Sequence, residues 1–234
     1  MSRLKKALPR IGRIIRYGTL GAAVLFLSLH LMGLGNAVVP VHGTWNMMMR
    51  PDGTTLQREW VPLERLSPNL VSAVIAAEDS RFCQHDGIDF DAISAAIEDN
   101  QKGGRQRGGS TITQQTAKNV FLWNGGGYAR KAVEAWFALY IDTIWTKRRI
   151  MEVYLNVAEW GDGIFGAEAA AQARFGKPAA ELSRYEAALL ASVLPSPNKW
   201  KVDPPGPYVR GRAATLQQRA RVVESENLDD CVSP

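Results

Sequence analysis

The sequence predicts a mostly α-helical protein in which one N-terminal membrane-spanning helix precedes a helical domain. Two observations lead to this prediction. No Asp, Glu, Lys or Arg occurs between residues 17 and 49. From residue 67 onward, apolar side chains recur at helical spacing. The composition, with 46% hydrophobic and 22% charged residues, is typical of a globular protein and argues against wholesale disorder.

The basic charge of the chain is concentrated at its N-terminus. Residues 1–16 contain six basic side chains and no acidic one, and the remainder has 22 basic against 23 acidic residues. The net charge of +5 therefore belongs to a terminal tail. Because no domain-wide basic patch is left, the composition argues against nucleic-acid binding.

Residues 18–35 are predominantly apolar and long enough to cross a hydrocarbon core of about 30 Å as a helix. Basic residues lie only on the N-terminal side, so the positive-inside rule predicts a cytoplasmic N-terminus and an external location for residues 36–234. The alternative is a signal peptide cleaved near 35–37. The apolar stretch exceeds the roughly 7–15 residues of cleavable signals, which favours an uncleaved anchor. We therefore expect a cytoplasmic tail at 1–16 and a transmembrane anchor at 17–37.

The rest of the chain is predicted as a membrane-proximal segment at 38–66, a helical domain at 67–226 and a tail at 227–234. The segment 54–61 favours β-structure. Ser67 precedes Pro68 as a capping hydroxyl at a helix start, and Ser183 with Glu186 forms a capping box. The predicted helices are 67–77, 89–102, 111–122, 129–145, 147–158, 166–174, 184–194 and 207–224.

Two cysteines, Cys83 and Cys231, would lie in an oxidising compartment if this topology holds. A disulfide joining the C-terminal tail to the domain would be compatible with that location. The sequence alone leaves the state of these cysteines open.

Two adjacent acids, Glu78 and Asp79, follow the apolar helix 67–77. A carboxyl group at the end of a buried helix can have a pKa raised toward neutrality, which suits a general base. The alternative is a structural acid at a helix end, paired with Arg81 or His85.

A polar helix start follows the glycine-bounded loop 103–109. Free backbone N–H groups and the helix dipole make such a start a natural phosphate site, and Lys118 adds a positive charge one turn later. A solvated polar face is the alternative, although clustered Ser and Thr lower helix propensity. The polar residues are Ser110, Thr111, Thr113, Gln114, Gln115 and Asn119.

A third group contains Arg130, Lys131 and Glu134. Arg130 and Glu134 are four residues apart, so an ordinary surface ion pair is one interpretation. Taken together, the three groups supply two carboxylates and several cations. This combination fits attack of a sugar hydroxyl on a sugar phosphate, in which the hydroxyl needs a base and the departing pyrophosphate needs positive charge.

These segments resemble the signature motifs of the peptidoglycan glycosyltransferases, glycosyltransferase family 51. The first resembles the motif Glu-Asp-x-x-Phe-x-x-His-x-Gly, here Glu78, Asp79, Phe82, His85 and Gly87. The second resembles Gly-x-Ser-Thr-Ile-Thr-Gln-Gln-x-x-Lys-Asn at 108–119, and the third resembles Arg-Lys-x-x-Glu at 130–134. Two further segments, 147–156 and 163–197, are also similar. The resemblance covers about residues 62–200, and the absence of room for a transpeptidase afterwards points to the monofunctional members.

The resemblance implies a lysozyme-like helical fold and polymerisation of lipid II into glycan strands at the bacterial inner membrane. Glu78 would deprotonate the acceptor 4-hydroxyl, and Glu134 would assist departure of undecaprenyl pyrophosphate with inversion at the donor carbon. No cofactor is implied as obligatory, although some members use Mg²⁺ or Mn²⁺, which would lie near Glu78 and Asp79. The expected partners are lipid II, the nascent strand, the membrane and other cell-wall synthesis proteins. The residues implied to bind the substrate are Ser110, Thr111, Gln114, Gln115, Lys118, Asn119, Arg130 and Lys131.

Two alternatives remain at this stage. A lytic transglycosylase or lysozyme-like enzyme would share the fold and the carboxylates, but it would not need cations for a diphosphate. A non-catalytic cell-wall scaffold would not need Glu78 and Glu134 together. The sequence departs from many family members at Val133, where lysine is common, and at Asp142, where glutamate is common.

Overall fold

The computed structural model describes residues 2–50, 55–101 and 109–233, and the chain divides after Val39 into two compact units. The first unit is helix α1 (Ser2–Asn36). Within it, Gly12–Asn36 is long and apolar enough to cross a membrane. The helix also includes residues of the basic segment, which the sequence had assigned to a separate tail.

The second unit is mostly helical, as predicted. Its helices are α2 (Trp45–Met48), α3 (Pro68–Glu78), α4 (Phe90–Gln101), α5 (Ile112–Phe121), α6 (Gly127–Ile144), α7 (Lys147–Val157), α8 (Ala167–Phe175), α9 (Arg184–Val193) and α10 (Pro207–Ser225). The eight predicted helices correspond to α3–α10, with ends that differ by up to two residues. Lys102, at the predicted end of α4, lies outside the described residues.

A small sheet and α2 were not predicted. Strand β1 (Gln57–Arg58) pairs in parallel with β3 (Ile164–Phe165), which pairs antiparallel with β2 (Glu159–Gly161). The β-favouring segment 54–61 therefore contributes only two residues to the sheet. Thr54 lies outside the described part of the chain. Elements this short are determined by tertiary contacts, because isolated short strands and helices are marginal in water.

Two helical groups form the core of the domain. Helix α3 packs against α9 and α10, and α5 packs against α6 and α7. Large side chains of these helices and of the segments next to them are almost fully buried, and they include Phe82, Tyr154, Trp160, Leu70, Ile112 and Ile150. The ends of α3 and α5 consequently lie within a packed framework that can position polar groups with little freedom.

Two of the predicted caps have different outcomes. The capping box of α9 is confirmed, because Ser183 Oγ accepts from Glu186 N at 3.4 Å and Glu186 Oε2 accepts from Ser183 N at 2.8 Å. For α3, the prediction that the Ser67 hydroxyl caps the helix start through a hydrogen bond is wrong. Ser67 stands at the N-cap position, but its hydroxyl donates to the carbonyl oxygen of Leu182 at 3.0 Å. Packing against the segment before α9 provides an acceptor that the sequence could not reveal.

The structure contains a disulfide between Cys83 and Cys231, whose Cα atoms are 5.5 Å apart. Hydrogen bonds hold the same C-terminal tail. Ser72 Oγ donates to Asp229 Oδ2 at 2.9 Å, and Arg148 Nη1 donates to the carbonyl oxygen of Val232 at 2.7 Å. The tail is therefore joined to the domain covalently and through polar contacts.

Candidate active site

Glu78 is the last residue of α3, and its two carboxylate oxygens have different surroundings. Gln115 Nε2 donates to Oε2 at 2.9 Å. Oε1 is buried and accepts no hydrogen bond from any described residue. Burial raises the pKa of Glu78 above that of an ordinary glutamate, although the hydrogen bond from Gln115 and the charge of Arg212 act in the opposite direction. A carboxylate with a raised pKa and one unoccupied oxygen is suited to accept a proton.

Asp79 is directed to a different part of the domain. Its carboxylate accepts from His85 Nε2 at 3.0 and 3.1 Å and from the backbone N–H of Ile112 at 2.9 Å. The residue is only 8% exposed. Asp79 therefore joins the first motif to the start of α5. Its pairing with His85 is one of the two pairings that the structural interpretation of these acids offered.

A divalent cation held jointly by Glu78 and Asp79 does not fit this arrangement. Both oxygens of Asp79 already accept hydrogen bonds from His85, and Oδ2 also accepts from Ile112. Glu78 alone offers one oxygen that has no hydrogen-bond partner in the described part of the chain, whereas Mg²⁺ sites use octahedral sets of oxygen ligands. We therefore assign no step of the reaction to a cation at these two residues.

The start of α5 is held by a capping box, and the sequence predicts substrate binding for the two residues that form it, Thr111 and Gln114. Thr111 Oγ1 accepts from Gln114 N at 3.0 Å, and Gln114 Oε1 accepts from Thr111 N at 3.0 Å. The Thr111 hydroxyl also donates to the carbonyl oxygen of Gly87 at 2.6 Å. Gly87 has a φ of 79°, and a Cβ there would lie 3.1 Å from the carbonyl oxygen of Ala138. A substrate contact of Thr111 or Gln114 stays a prediction, and their described role is to hold the helix start.

Glu134 on α6 is the second carboxylate of the site. It is 2% exposed, so the interpretation of Arg130 and Glu134 as a surface ion pair is wrong. Arg130 Nη1 donates to Glu134 Oε2 at 2.6 Å, and Lys131 Nζ donates to Glu134 Oε1 and, at 2.6 Å, to Ser110 Oγ. Glu134 thus fixes two cations beside the polar helix start.

Lys118 on α5 adds a third cation to this group. Burial lowers its pKa, the charge of Glu134 raises it, and the charges of Arg130 and Lys131 lower it further. No carboxylate in the described ranges lies within salt-bridge distance of its amine. The charge of Glu78 also raises the pKa of Lys118. Three cations thus accompany two carboxylates, so the group keeps an excess of positive charge that suits an anionic ligand.

A cavity of about 230 Å³ adjoins these residues. Gln115, Lys118 and Asn119 line it from α5, and their predicted contact with substrate stays a prediction. Glu78, Ser110 and Thr111 line a second cavity of about 130 Å³. Residues 103–108 of the glycine-bounded loop, including Gly108 of the second motif, lie outside the described residues.

Two residues of the site were not assigned a role from the sequence. Tyr154 on α7 lines the larger cavity, and its hydroxyl donates to Gln115 Oε1 at 3.3 Å. Arg212 on α10 adds positive charge near Glu78 and donates through Nε to the carbonyl oxygen of Ser192 at 3.1 Å. Tyr154 lies in the segment 147–156 that resembles a family motif, but the resemblance assigned it no role. Arg212 is far along the chain and had no local sequence signal.

Comparison with known proteins identifies the family of this chain. A family profile described as Transglycosylase matches residues 46–226. The "Biosynthetic peptidoglycan transglycosylase" of Rhodospirillum centenum is 50% identical over 227 residues, which cover 96% of this chain and 97% of the relative. Proteins with the same name from Caulobacter vibrioides and Pseudomonas aeruginosa are 52% and 53% identical, and the matches cover 78% and 77% of this chain and 80% and 81% of those relatives. The chain belongs to the transglycosylase family.

Proposed function

We propose that this protein is a peptidoglycan glycosyltransferase that polymerises lipid II, the undecaprenyl-pyrophosphate-linked disaccharide-pentapeptide, into glycan strands. The observation that supports this most directly is the buried carboxylate of Glu78, one oxygen of which has no hydrogen-bond partner among the described residues, in the same site as three cations. A base and an anion site are the two requirements of glycosyl transfer from a diphosphate. The names of the relatives point to the same polymer.

In the proposed reaction, Glu78 removes the proton from the acceptor 4-hydroxyl. The resulting oxygen attacks the anomeric carbon of the donor, the bond from that carbon to the diphosphate oxygen breaks, and undecaprenyl pyrophosphate leaves with the electron pair. Attack from the face opposite the leaving group inverts the linkage from α to β. Burial of Glu78 supports this role, because a raised pKa brings the strength of the base closer to the working pH.

The cations on α5 and α6 are proposed to bind the diphosphate. Lys118, Arg130 and Lys131 would neutralise the negative charge that develops on the leaving group. Glu134 has both oxygens occupied by Arg130 and Lys131, so it would assist departure by holding these cations in place. Ser110 and Asn119 would add polar contacts to the sugars or the diphosphate.

The apolar part of α1 is proposed to anchor the enzyme in the inner membrane as a single span. By the positive-inside rule, the basic residues before it favour a cytoplasmic N-terminus and a periplasmic domain. A lipid-linked substrate remains in the bilayer, so an anchored enzyme meets it without releasing it into water. The disulfide supports an oxidising location for the domain.

The proposal is tested with purified full-length protein, labelled lipid II in detergent, and the variant Glu78→Gln. Glu181→Gln, at an exposed position in the 3₁₀ turn Ala179–Glu181, is the matched control. We expect wild type and Glu181→Gln to make polymer that lysozyme digests, and Glu78→Gln to make none. Cleavage of finished strands by the wild type, without polymerisation, would support the lytic alternative. Tight binding of lipid II with neither reaction would support the scaffold alternative.

A further inference from the structure

The carboxylate of Glu78 is held from one side only. Oε2 accepts from Gln115, while Oε1 is buried and has no hydrogen-bond partner among the described residues. An unsatisfied buried oxygen costs free energy, and in native proteins it commonly coincides with a functional site. The two oxygens of this carboxylate are therefore not equivalent.

The orientation of the Gln115 amide follows from its two neighbours. An ionised carboxylate only accepts hydrogen bonds, so the NH₂ group of Gln115 must face Glu78. The amide oxygen then points away and needs a donor. The hydroxyl of Tyr154 supplies that donor at 3.3 Å.

Tyr154 is suited to this task because it is only 1% exposed and stays protonated. Burial, together with the charges of Glu78 and Asp79, raises the pKa of Tyr154 well above its ordinary value. The hydroxyl consequently retains its proton across the range in which Glu78 titrates. Hydrogen bonds thus run from α7 through α5 to the end of α3.

We propose that Gln115 and Tyr154 are positioning residues that hold Glu78 through Oε2 and leave Oε1 as the oxygen that accepts the proton of the acceptor hydroxyl. This inference rests on the proposed function and deepens it. Gln115 had been expected to bind substrate, and here its amide orients the base. Tyr154 acts through Gln115 and not by contact with the reacting atoms.

The experiment compares Tyr154→Phe, Gln115→Leu and the double variant, with Tyr185→Phe as a control that removes the hydroxyl of a partly exposed tyrosine on α9. Initial rates of lipid II polymerisation give kcat and KM over a range of pH. We expect Tyr154→Phe to lower kcat roughly tenfold with little change in KM, since it removes one buried hydrogen bond that orders the base. The acid limb of the kcat profile should move to higher pH in both single variants. Gln115→Leu removes the hydrogen bond that favours the ionised carboxylate, and Tyr154→Phe removes the donor that orients the amide making this bond.

The double variant separates positioning from simple packing. If Tyr154 acts through Gln115, adding Tyr154→Phe to Gln115→Leu should cause no further loss. Unchanged kcat and pH profile in Tyr154→Phe, or fully multiplicative losses, would overturn the inference. Thermal melting of each variant shows whether a loss reflects unfolding instead. A wild type that fails to polymerise lipid II would refute the proposed function itself, which is a different outcome from an active wild type with an unaffected Tyr154→Phe.

Discussion

Replacement of Asp79 by alanine should destabilise the domain, because Asp79 connects two segments that are 33 residues apart in the chain. The carboxylate accepts from Ile112 N at the start of α5 and from His85 Nε2 in the first motif. Both donors are buried. Asp79→Ala would leave them without an acceptor in a site that is too enclosed for bulk water to replace it.

The magnitude follows from these two contacts. A buried donor that loses its partner costs about 1–3 kcal/mol, so two such donors correspond to a loss of about 3 kcal/mol in the free energy of unfolding. For a domain of this size, each kcal/mol lowers Tm by about 2–4 °C. We therefore expect the Tm of Asp79→Ala to fall by about 6–12 °C.

Thermal melting followed by tryptophan fluorescence measures this change, and the polymerisation assay is run at a temperature where the variant remains folded. Asp86→Ala is the matched control, because Asp86 lies in the same motif and is exposed. A variant that melts like the wild type but has lost all activity would contradict the reasoning. That result would mean that the carboxylate of Asp79 contacts the substrate or a cation.

Four further predictions concern the site and the tail. First, because Glu78 acts as a base only when ionised and burial raises its pKa, the polymerisation rate should fall with decreasing pH before an ordinary glutamate would become protonated; a flat rate down to pH about 4.3 would contradict this. Second, because burial raises the pKa of Glu78, its ionised carboxylate destabilises the folded state at any pH above the pKa of an ordinary glutamate. Glu78→Gln should therefore have a higher Tm than the wild type at neutral pH and lose this advantage at a pH below the ordinary glutamate pKa, as calorimetry under the two conditions would show. Third, Glu134→Gln should lower kcat/KM for lipid II roughly a hundredfold by releasing Arg130 and Lys131, and a loss below threefold in the same assay would argue against the role of Glu134. Fourth, Cys231→Ser opens a link between residues 148 positions apart and should cost about 2–5 kcal/mol of stability relative to the oxidised wild type, measured by denaturant unfolding, whereas reduced wild type should match the variant.

The helices of the domain could be predicted because their patterns are local. Apolar spacing marked α3 to α10, and the box of Ser183 and Glu186 marked the start of α9. The hydrogen bond of Ser67 could not be predicted, since its acceptor belongs to a segment 115 residues away. The same limitation applies to Arg212, whose charge reaches Glu78 only after α10 packs against α3.

The candidate site was predicted in its composition but not in its division of roles. Glu134 was recognised, yet its burial depends on how α6 packs against α5. The sequence at Thr111 and Gln114 fits a substrate site and a capping box equally well. Only the folded structure shows that the side chain of each residue accepts from the backbone N–H of the other. Tyr154 lies in the segment 147–156 that resembles a family motif, but nothing local assigned it a role, because a buried tyrosine in an amphipathic helix is usual and its partner lies on another helix.

The adjacent acids Glu78 and Asp79 show how the end of one helix can assign opposite roles to neighbouring residues. Helix α3 ends at Glu78, and Asp79 has an extended backbone with φ of −162°, so the two side chains leave in different directions. Both nevertheless contact α5. Asp79 accepts from the backbone N–H of Ile112, and Glu78 accepts from the side chain of Gln115, which lies three residues after Ile112. Lys118 follows after three more residues, so successive turns of α5 present the anchored helix start, the partner of the base and a cation. The structural acid thereby sets the position of the helix that orients the base and carries Lys118, which is why loss of Asp79 should disturb the whole site while loss of Glu78 should remove only the chemistry.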